Sequence, residues 1–201
     1  MQSWDERFGQ ADLAYGDRPN DFLVEQVGAL TPGNCLCIAE GQGRNAVWLA
    51  AQGFAVTAMD QSPVGMERAR ELATRRGVTL TTQTGDLSTW DMGEARWDNI
   101  VSIFGHLPAA LRRDVHARIV KALTPGGTFL LEAYTPEQLE MPGKGGPGEK
   151  DMLPDLAALR EELAGLDFVL AREIHREVDE GLYHHGLSAV VQIVARKPTG
   201  E

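Results

Sequence analysis

The residues of this chain best suited to chemistry are Glu40, Gly41, Gly43, Asp60 and Asp86. The first three lie in Cys35-Leu36-Cys37-Ile38-Ala39-Glu40-Gly41-Gln42-Gly43-Arg44-Asn45-Ala46, where an apolar run breaks into a Gly-x-Gly turn. Glycines at these two places let the turn close and let backbone approach a ligand. Asp60 ends the next apolar run. A carboxylate there can grip both hydroxyls of a ribose. Strand, glycine turn, helix, second strand and terminal acid form the unit that binds an adenosine-bearing cofactor.

Charge narrows the kind of cofactor. Gly41-x-Gly43-x-x-Ala46, with an acid about 20 positions on, also fits the dinucleotide fingerprint. Glu40 directly precedes the first glycine, however. A pyrophosphate docked on the following helix would meet that anion, whereas a sulfonium or ammonium would be attracted to it. Asp86, in Gly85-Asp86-Leu87, follows a third apolar run, residues 78–84. It can accept from an adenine amino group, for which a dinucleotide fold has no standard use.

These stretches, in this order, resemble the class I S-adenosylmethionine-dependent methyltransferases. Residues 35–46 resemble the glycine-rich first motif, Met59-Asp60 the ribose-binding acid, and Gly85-Asp86-Leu87 the adenine-side motif. Trp97-Asp98-Asn99-Ile100-Val101-Ser102 resembles the fourth strand, and Leu123-Thr124-Pro125-Gly126-Gly127-Thr128 the turn into the fifth. Gly43-Arg44-Asn45-Ala46, with Tyr15-Gly16 and Pro19-Asn20 upstream, is similar to the small-molecule enzymes of the tellurite-resistance and thiopurine type. The family often has an acid at the position of Cys37 and a glycine at that of Ala39. Here Glu40 is the acid of the loop, and it or a backbone carbonyl must neutralise the cofactor ammonium.

The resemblance implies an α/β, Rossmann-like fold: a doubly wound, mostly parallel seven-stranded sheet closed by an antiparallel C-terminal hairpin. It implies S-adenosyl-L-methionine as cofactor and no metal. The cofactor residues it implies are Tyr15, Gly16, Glu40, Gly41, Gly43, Arg44, Asn45, Asp60, Gln61, Ser62, Gly85, Asp86, Leu87, Ile103 and Phe104. His106, Tyr134 and His185 are the candidates for acceptor contact. The chemistry would be in-line displacement at the sulfonium methyl carbon. A soft anionic nucleophile needs no base; an alcohol or amine would, and His106 is the nearest candidate. A non-catalytic cofactor-binding sensor is an alternative. An NAD-dependent oxidoreductase is a weaker one, without a Tyr-x-x-x-Lys pair to support it.

The elements that must position these residues follow from periodicity and punctuation. Strands are expected over residues 35–39, 55–59, 78–84, 99–104 and 128–134. Helices are expected over 21–30, 44–52, from Ser62-Pro63 to about Arg76, over 109–123 and over 155–164. Ser62 reads as N-cap with Pro63 at the first position, and Gly53 and Gly77 as stops. Two β-rich runs, 169–178 and 187–195, are joined by 179–186 as in a hairpin. Strands alternating with helices give a doubly wound sheet. Residues 1–33 read as an N-terminal cap with Trp4, Phe8, Leu13 and Tyr15 as apolar anchors. Residues 135–154 are rich in glycine and proline and too long for a mere connection, which suggests an active-site lid or a disordered flap.

Composition sets the outer bounds. The 201 residues suit one domain, and 43% hydrophobic content is ordinary for a globular chain. No apolar run is long enough to cross a bilayer. The start, Met-Gln-Ser-Trp-Asp-Glu-Arg, shows no secretory pattern, so a cytoplasmic location is expected. A formal net charge of −10 disfavours nucleic acid or an anionic membrane as partner. A small-molecule methyl acceptor is the expected partner, with the oligomeric state open. Cys35 and Cys37 lie two apart on a strand, face one side and read as core residues rather than metal ligands.

Overall fold

The computed structural model describes residues 3–9 and 14–200; Leu13 lies outside them. The strands are β1 (Asn34–Ile38), β2 (Ala55–Asp60), β3 (Thr81–Thr84), β4 (Trp97–Ile103), β5 (Leu123–Tyr134), β6 (Asp167–Asp179) and β7 (His185–Arg196). They form one seven-stranded sheet in the order β3-β2-β1-β4-β5-β7-β6. β1 runs parallel to β2 and β4, β2 to β3, and β4 to β5. β7 runs antiparallel to both β5 and β6. This is the doubly wound sheet with a closing hairpin that the alternation of elements led us to expect. Strand order reverses between β1 and β4, and in such sheets ligands bind outside the carboxyl ends at that point.

Alternation along each central strand divides the core in two. Leu36, Ile38, Met59, Ile100, Phe129 and Leu131 face the helices α5 (Ala109–Ala122) and α6 (Leu156–Glu162). Cys35, Cys37, Val56, Ala58, Val101 and Leu130 face α2 (Asp21–Gln26), α3 (Arg44–Ala51) and α4 (Pro63–Arg76). Both cysteines are buried and free, as their spacing suggested.

Punctuation sets the ends of α4. The Ser62 hydroxyl accepts from the Gly65 amide at 3.0 Å, Pro63 opens the helix, and Gly77 closes it at φ +67°. Elsewhere the bounds move. α2 stops at Gln26, and Val27–Ala29 tighten into a 3-10 turn. β3 begins at Thr81 because Val78 and Leu80 turn onto Val47, Leu72 and Ala73 instead of pairing. β5 begins at Leu123, which pairs with Trp97 before an irregularity at the Gly126-Gly127 turn.

One helix was not expected. α1 (Trp4–Phe8) opens with a capping box, in which the Ser3 hydroxyl accepts from the Glu6 amide and the Glu6 carboxylate from the Ser3 amide. Ser3-x-x-Glu6 before Phe8 is the sequence signature of such a start. Residues 135–154 contain two 3-10 turns, Pro136–Glu140 and Lys150–Met152, and run along β7. The Gln138 side chain accepts from Ala189 N at 2.9 Å, and Gly143 N donates to Leu187 O at 3.0 Å.

Candidate functional site

The glycine turn joins the tip of β1 to α3. Gly41 and Gly43 both have positive φ, +62° and +87°. A Cβ on Gly43 would stand 2.5 Å from Ala69 Cβ, so this glycine lets α3 and α4 approach. A Cβ on Gly41 would meet the Phe8 ring at 3.0 Å. Gly43 has no side chain with which to cap α3, and Glu40 supplies the cap. Its Oε1 accepts from Asn45 N at 3.0 Å and from Ala46 N at 2.8 Å. Burial pushes the Glu40 carboxyl up to about 7, against those amides and Arg44. A half-buried acid poised there suits a cationic ligand group.

Asp60 ties β2 to the same turn. Its Oδ2 accepts from Gly41 N and its Oδ1 from Ser62 N, both at 2.9 Å. Burial raises its pKa, and the amide bonds oppose that. The Ser62 hydroxyl donates to the Asp5 carboxylate, which docks α1 over the turn. Gln61 is exposed beside it. Gly85 N donates to Asp60 O at 3.0 Å and brings the tip of β3 alongside. Asp86 beyond it is exposed; its carboxylate accepts from Ser88 N, which lowers its pKa. Leu87 turns inward.

Arg44 and Asn45 face the interior. Asn45 accepts from Asn20 N at 2.9 Å. The Arg44 guanidinium pairs with Glu180, in the turn between β6 and β7, and donates to Arg18 O at 3.2 Å. Asn20 Nδ2 donates to Glu132 at 2.6 Å and to Glu180 at 2.8 Å. Arg176 donates to both of those carboxylates, and Gln192 to Glu132. Arg44 and Arg176 are thus matched by Glu132 and Glu180 in one connected polar network. Glu132, Arg176 and Glu180 carry no motif that marks them in the sequence. A lone Glu inside Phe129-Leu130-Leu131-Glu132-Ala133-Tyr134 was the available signal.

The tips of β1 and β4 are strained. Ala39 and Phe104, neither of them glycine, have φ of +50° and +53°. Such strain collects at functional sites. It turns the chain sharply after buried Ile103 and sets the Phe104 ring over Tyr134, centroids 4.5 Å apart. His106 follows. Tyr134 N donates to His106 Nε2 at 3.0 Å, and His106 Nδ1 lies 3.0 Å from Phe104 O. An amide only donates and a carbonyl only accepts, so the ring proton sits on Nδ1 and the ring is neutral. Burial lowers its pKa to about 4. Its one lone pair is spent on backbone, so the geometry casts His106 as a strut between β4 and β5 rather than the base its position suggested.

The histidine turned inward is His184, not His185. His184 is 8% exposed, with its ring 4.5 Å from Tyr15 and 4.6 Å from Phe104. His185 is exposed, and its backbone pairs with Lys144. The parity of a hairpin turn decides between adjacent residues, and sequence does not show it. Tyr15 is half-buried and accepts from Arg7 at 3.0 Å, while Gly16 abuts Gly181 of the same turn. Seven rings form a continuous line: Trp4, Phe8, Tyr15, His184, Phe104, Tyr134 and His106, successive centroids 4.5 to 6.4 Å apart. It runs from the glycine turn to the ends of β4 and β5.

Residues 35–127 match the family model described as "Methyltransferase domain". The strand order and the acids at the tips of β1 to β3 agree with that match, and the chain resembles the class I S-adenosylmethionine-dependent methyltransferases. A curated relative, the 2-heptyl-1-hydroxyquinolin-4(1H)-one methyltransferase of Mycobacteroides abscessus, is 28% identical over 115 residues. That match takes in 56% of this chain and 50% of the relative, so the chain spans about half the length of the curated protein it matches. Among solved structures, TehB from Haemophilus influenzae superposes with a TM-score of 0.73 at 19% identity, over 89% of this chain and 62% of that one. The structure described as "Conversion of a Disulfide Bond into a Thioacetal Group during Echinomycin Biosynthesis" gives 0.76 at 18% identity, over 98% and 89%. At these identities the two structures speak for the fold.

The cofactor of this class is S-adenosyl-L-methionine, and the donor set fits it. Three acids, Glu40, Asp60 and Asp86, line the strand tips, and Arg44 at the start of α3 is neutralised by Glu180. That suits a ribose and a cationic group and would repel a pyrophosphate.

Proposed function

We propose that the protein transfers a methyl group from S-adenosylmethionine to a small molecule held at the ends of β4 and β5. The observation that carries this is the aromatic line joining the acid-flanked glycine turn to Phe104 and Tyr134. Asp60 would take the ribose hydroxyls, Glu40 the ammonium group, and Asp86 with Leu87 the adenine. Gly41, Gly43, Gly85 and Ile103 shape the cradle by backbone and packing, with Gln61 and Ser62 at its rim. The bound cofactor supplies an electrophilic methyl carbon. The chain's part is to orient and to exclude water, because displacement at a sulfonium spreads charge rather than creating it. The described part of residues 1–33, and residues 135–154, serve as the covers of this site within a single domain.

The curated relative's name specifies a hydroxylated heteroaromatic, which agrees with an aromatic-walled acceptor end. No described helix is long and apolar enough to cross a membrane. The net charge of −10 supports a small acceptor over a nucleic acid. Calorimetry with S-adenosylmethionine, followed by turnover with a panel of hydroxylated heteroaromatics, tests the reading. Micromolar cofactor binding with turnover of at least one acceptor is expected. A folded protein that does not bind the cofactor would refute it.

A further inference from the structure

Two buried polar atoms beside Phe104 have no hydrogen-bond partner: Tyr134 Oη and His184 Nδ1. Tyr134 is fully buried and His184 is 8% exposed, and their ring centroids are 5.3 Å apart. Buried polar groups are otherwise satisfied almost without exception, and an orphan costs free energy unless something binds it. The two orphans share Phe104 as a wall, and Tyr15 closes the side.

What covers Tyr134 is a glycine pair. A Cβ on Gly145 would stand 2.1 Å from Tyr134 Oη, and one on Gly146 would stand 3.0 Å from the Tyr134 ring. Bare backbone therefore lies on the hydroxyl and the ring. The cover is fastened at one end by Gly143 N to Leu187 O and by the paired backbones of Lys144 and His185. At the other end Asp151, in the Lys150–Met152 turn, accepts from Ala109 N at 3.0 Å and from the Arg112 guanidinium at 3.2 Å. Between them, no backbone hydrogen bond holds Gly145 to Gly148 among the described residues.

We propose that Tyr134 and His184 are the pair that holds the methyl acceptor, reached when residues 145–148 lift, and that this acceptor is a planar aromatic molecule bearing a hydroxyl group. The proposal rests on the methyl-transfer reading above. The walls are aromatic, and the nearby Arg44 and Arg176 are already matched by Glu180 and Glu132. Arg7, without a carboxylate partner among the described residues, is held on the Tyr15 hydroxyl and over the Trp4 and Tyr183 rings, so an inorganic oxyanion such as tellurite at Tyr134 and His184 would draw no spare cation from Arg44 or Arg176. Burial keeps His184 neutral and Tyr134 protonated, so both offer uncharged hydrogen bonds. The acceptor oxygen forms its bond to the methyl carbon as the carbon–sulfur bond breaks. The electron pair of that bond returns to sulfur, and the hydroxyl proton passes to His184 Nδ1.

The test uses the whole chain with S-adenosylhomocysteine, and para-nitrophenol as the probe. Para-nitrophenol should bind, and tellurite should not displace it. Tyr134→Phe should weaken para-nitrophenol by about tenfold, roughly 1.4 kcal/mol. The same variant should keep its affinity for S-adenosylmethionine and melt no lower than the parent, since the lost hydroxyl was unsatisfied. A purely packing role for the hydroxyl would leave probe binding unchanged, which would overturn the proposal. So would displacement by tellurite, or a parent that binds the cofactor but not the probe. Failure to bind the cofactor at all would instead sink the methyl-transfer reading.

Discussion

Arg44 and Glu180, 136 residues apart, form a buried ion pair that ties the start of α3 to the turn between β6 and β7. The first residue after the glycine turn is thus held by the last hairpin of the sheet. Glu180 also accepts from Asn20 and Arg176. Removing its carboxylate leaves Arg44 buried without its charge partner. We expect Glu180→Ala to destabilise the protein by about 3–5 kcal/mol, read from urea unfolding. A loss below about 1 kcal/mol, the usual size for exposed pairs, would show that this contact does not hold the turn.

Glu40 should make stability depend on pH with a definite sign. Its carboxyl is raised from 4.5 to about 7, so folding favours the protonated form. That contribution is complete below the unfolded value and is lost as pH rises through the folded one. Glu40→Gln should therefore gain on the parent in melting temperature between pH 5 and 8, about the interval in which the carboxyl ionises. Parallel melting curves across that range would contradict the raised value. Binding of the cofactor's ammonium should pull the pKa down again. Near pH 6.5, calorimetry in buffers of different ionisation enthalpy should then register proton release, absent in Glu40→Gln.

Asp60→Ala should weaken S-adenosylmethionine by a factor of about 10 or more, roughly 1.4 kcal/mol, through loss of charge-assisted bonds to the ribose. Asp60 also holds Gly41 N and Ser62 N, so part of any loss will come from the turn. Asp60→Asn keeps one acceptor and separates the two effects. Unchanged affinity in a folded Asp60→Ala protein would end the ribose assignment.

Gly43 carries two constraints, a φ of +87° and a wall 2.5 Å away at Ala69. Gly43→Ala should cost on the order of 1–3 kcal/mol. Ala69→Gly in the same chain should recover the part due to crowding and leave the part due to φ. If the second change restores nothing, the cost lies wholly in the backbone.

Sequence revealed what local chemistry dictates. Ser62-Pro63 and Gly77 mark the ends of α4, and the apolar runs through Cys35 and Ile100 announce central strands buried on both faces. What stayed hidden depends on distant pairing. Nothing local to Glu132 discloses Arg176 and Asn20, which surround it in the fold. His106 looked available because its partner, the Tyr134 amide, lies 28 residues on. Residues 145–148 showed no pattern because they repeat nothing; they fit the surface of one tyrosine.

The contact of Tyr15 with His184 also has a temporal consequence. During synthesis the parallel strands and the glycine turn leave the ribosome long before the final hairpin. Until His184 emerges, the ring line breaks off at Tyr15 on one side and Phe104 on the other, and Arg44 has no Glu180. Contacts this far apart in sequence form late. A chain stalled short of its last hairpin would hold the acids of the first three strand tips without the wall that faces them. Completion of this site therefore reports emergence of the β6–β7 hairpin.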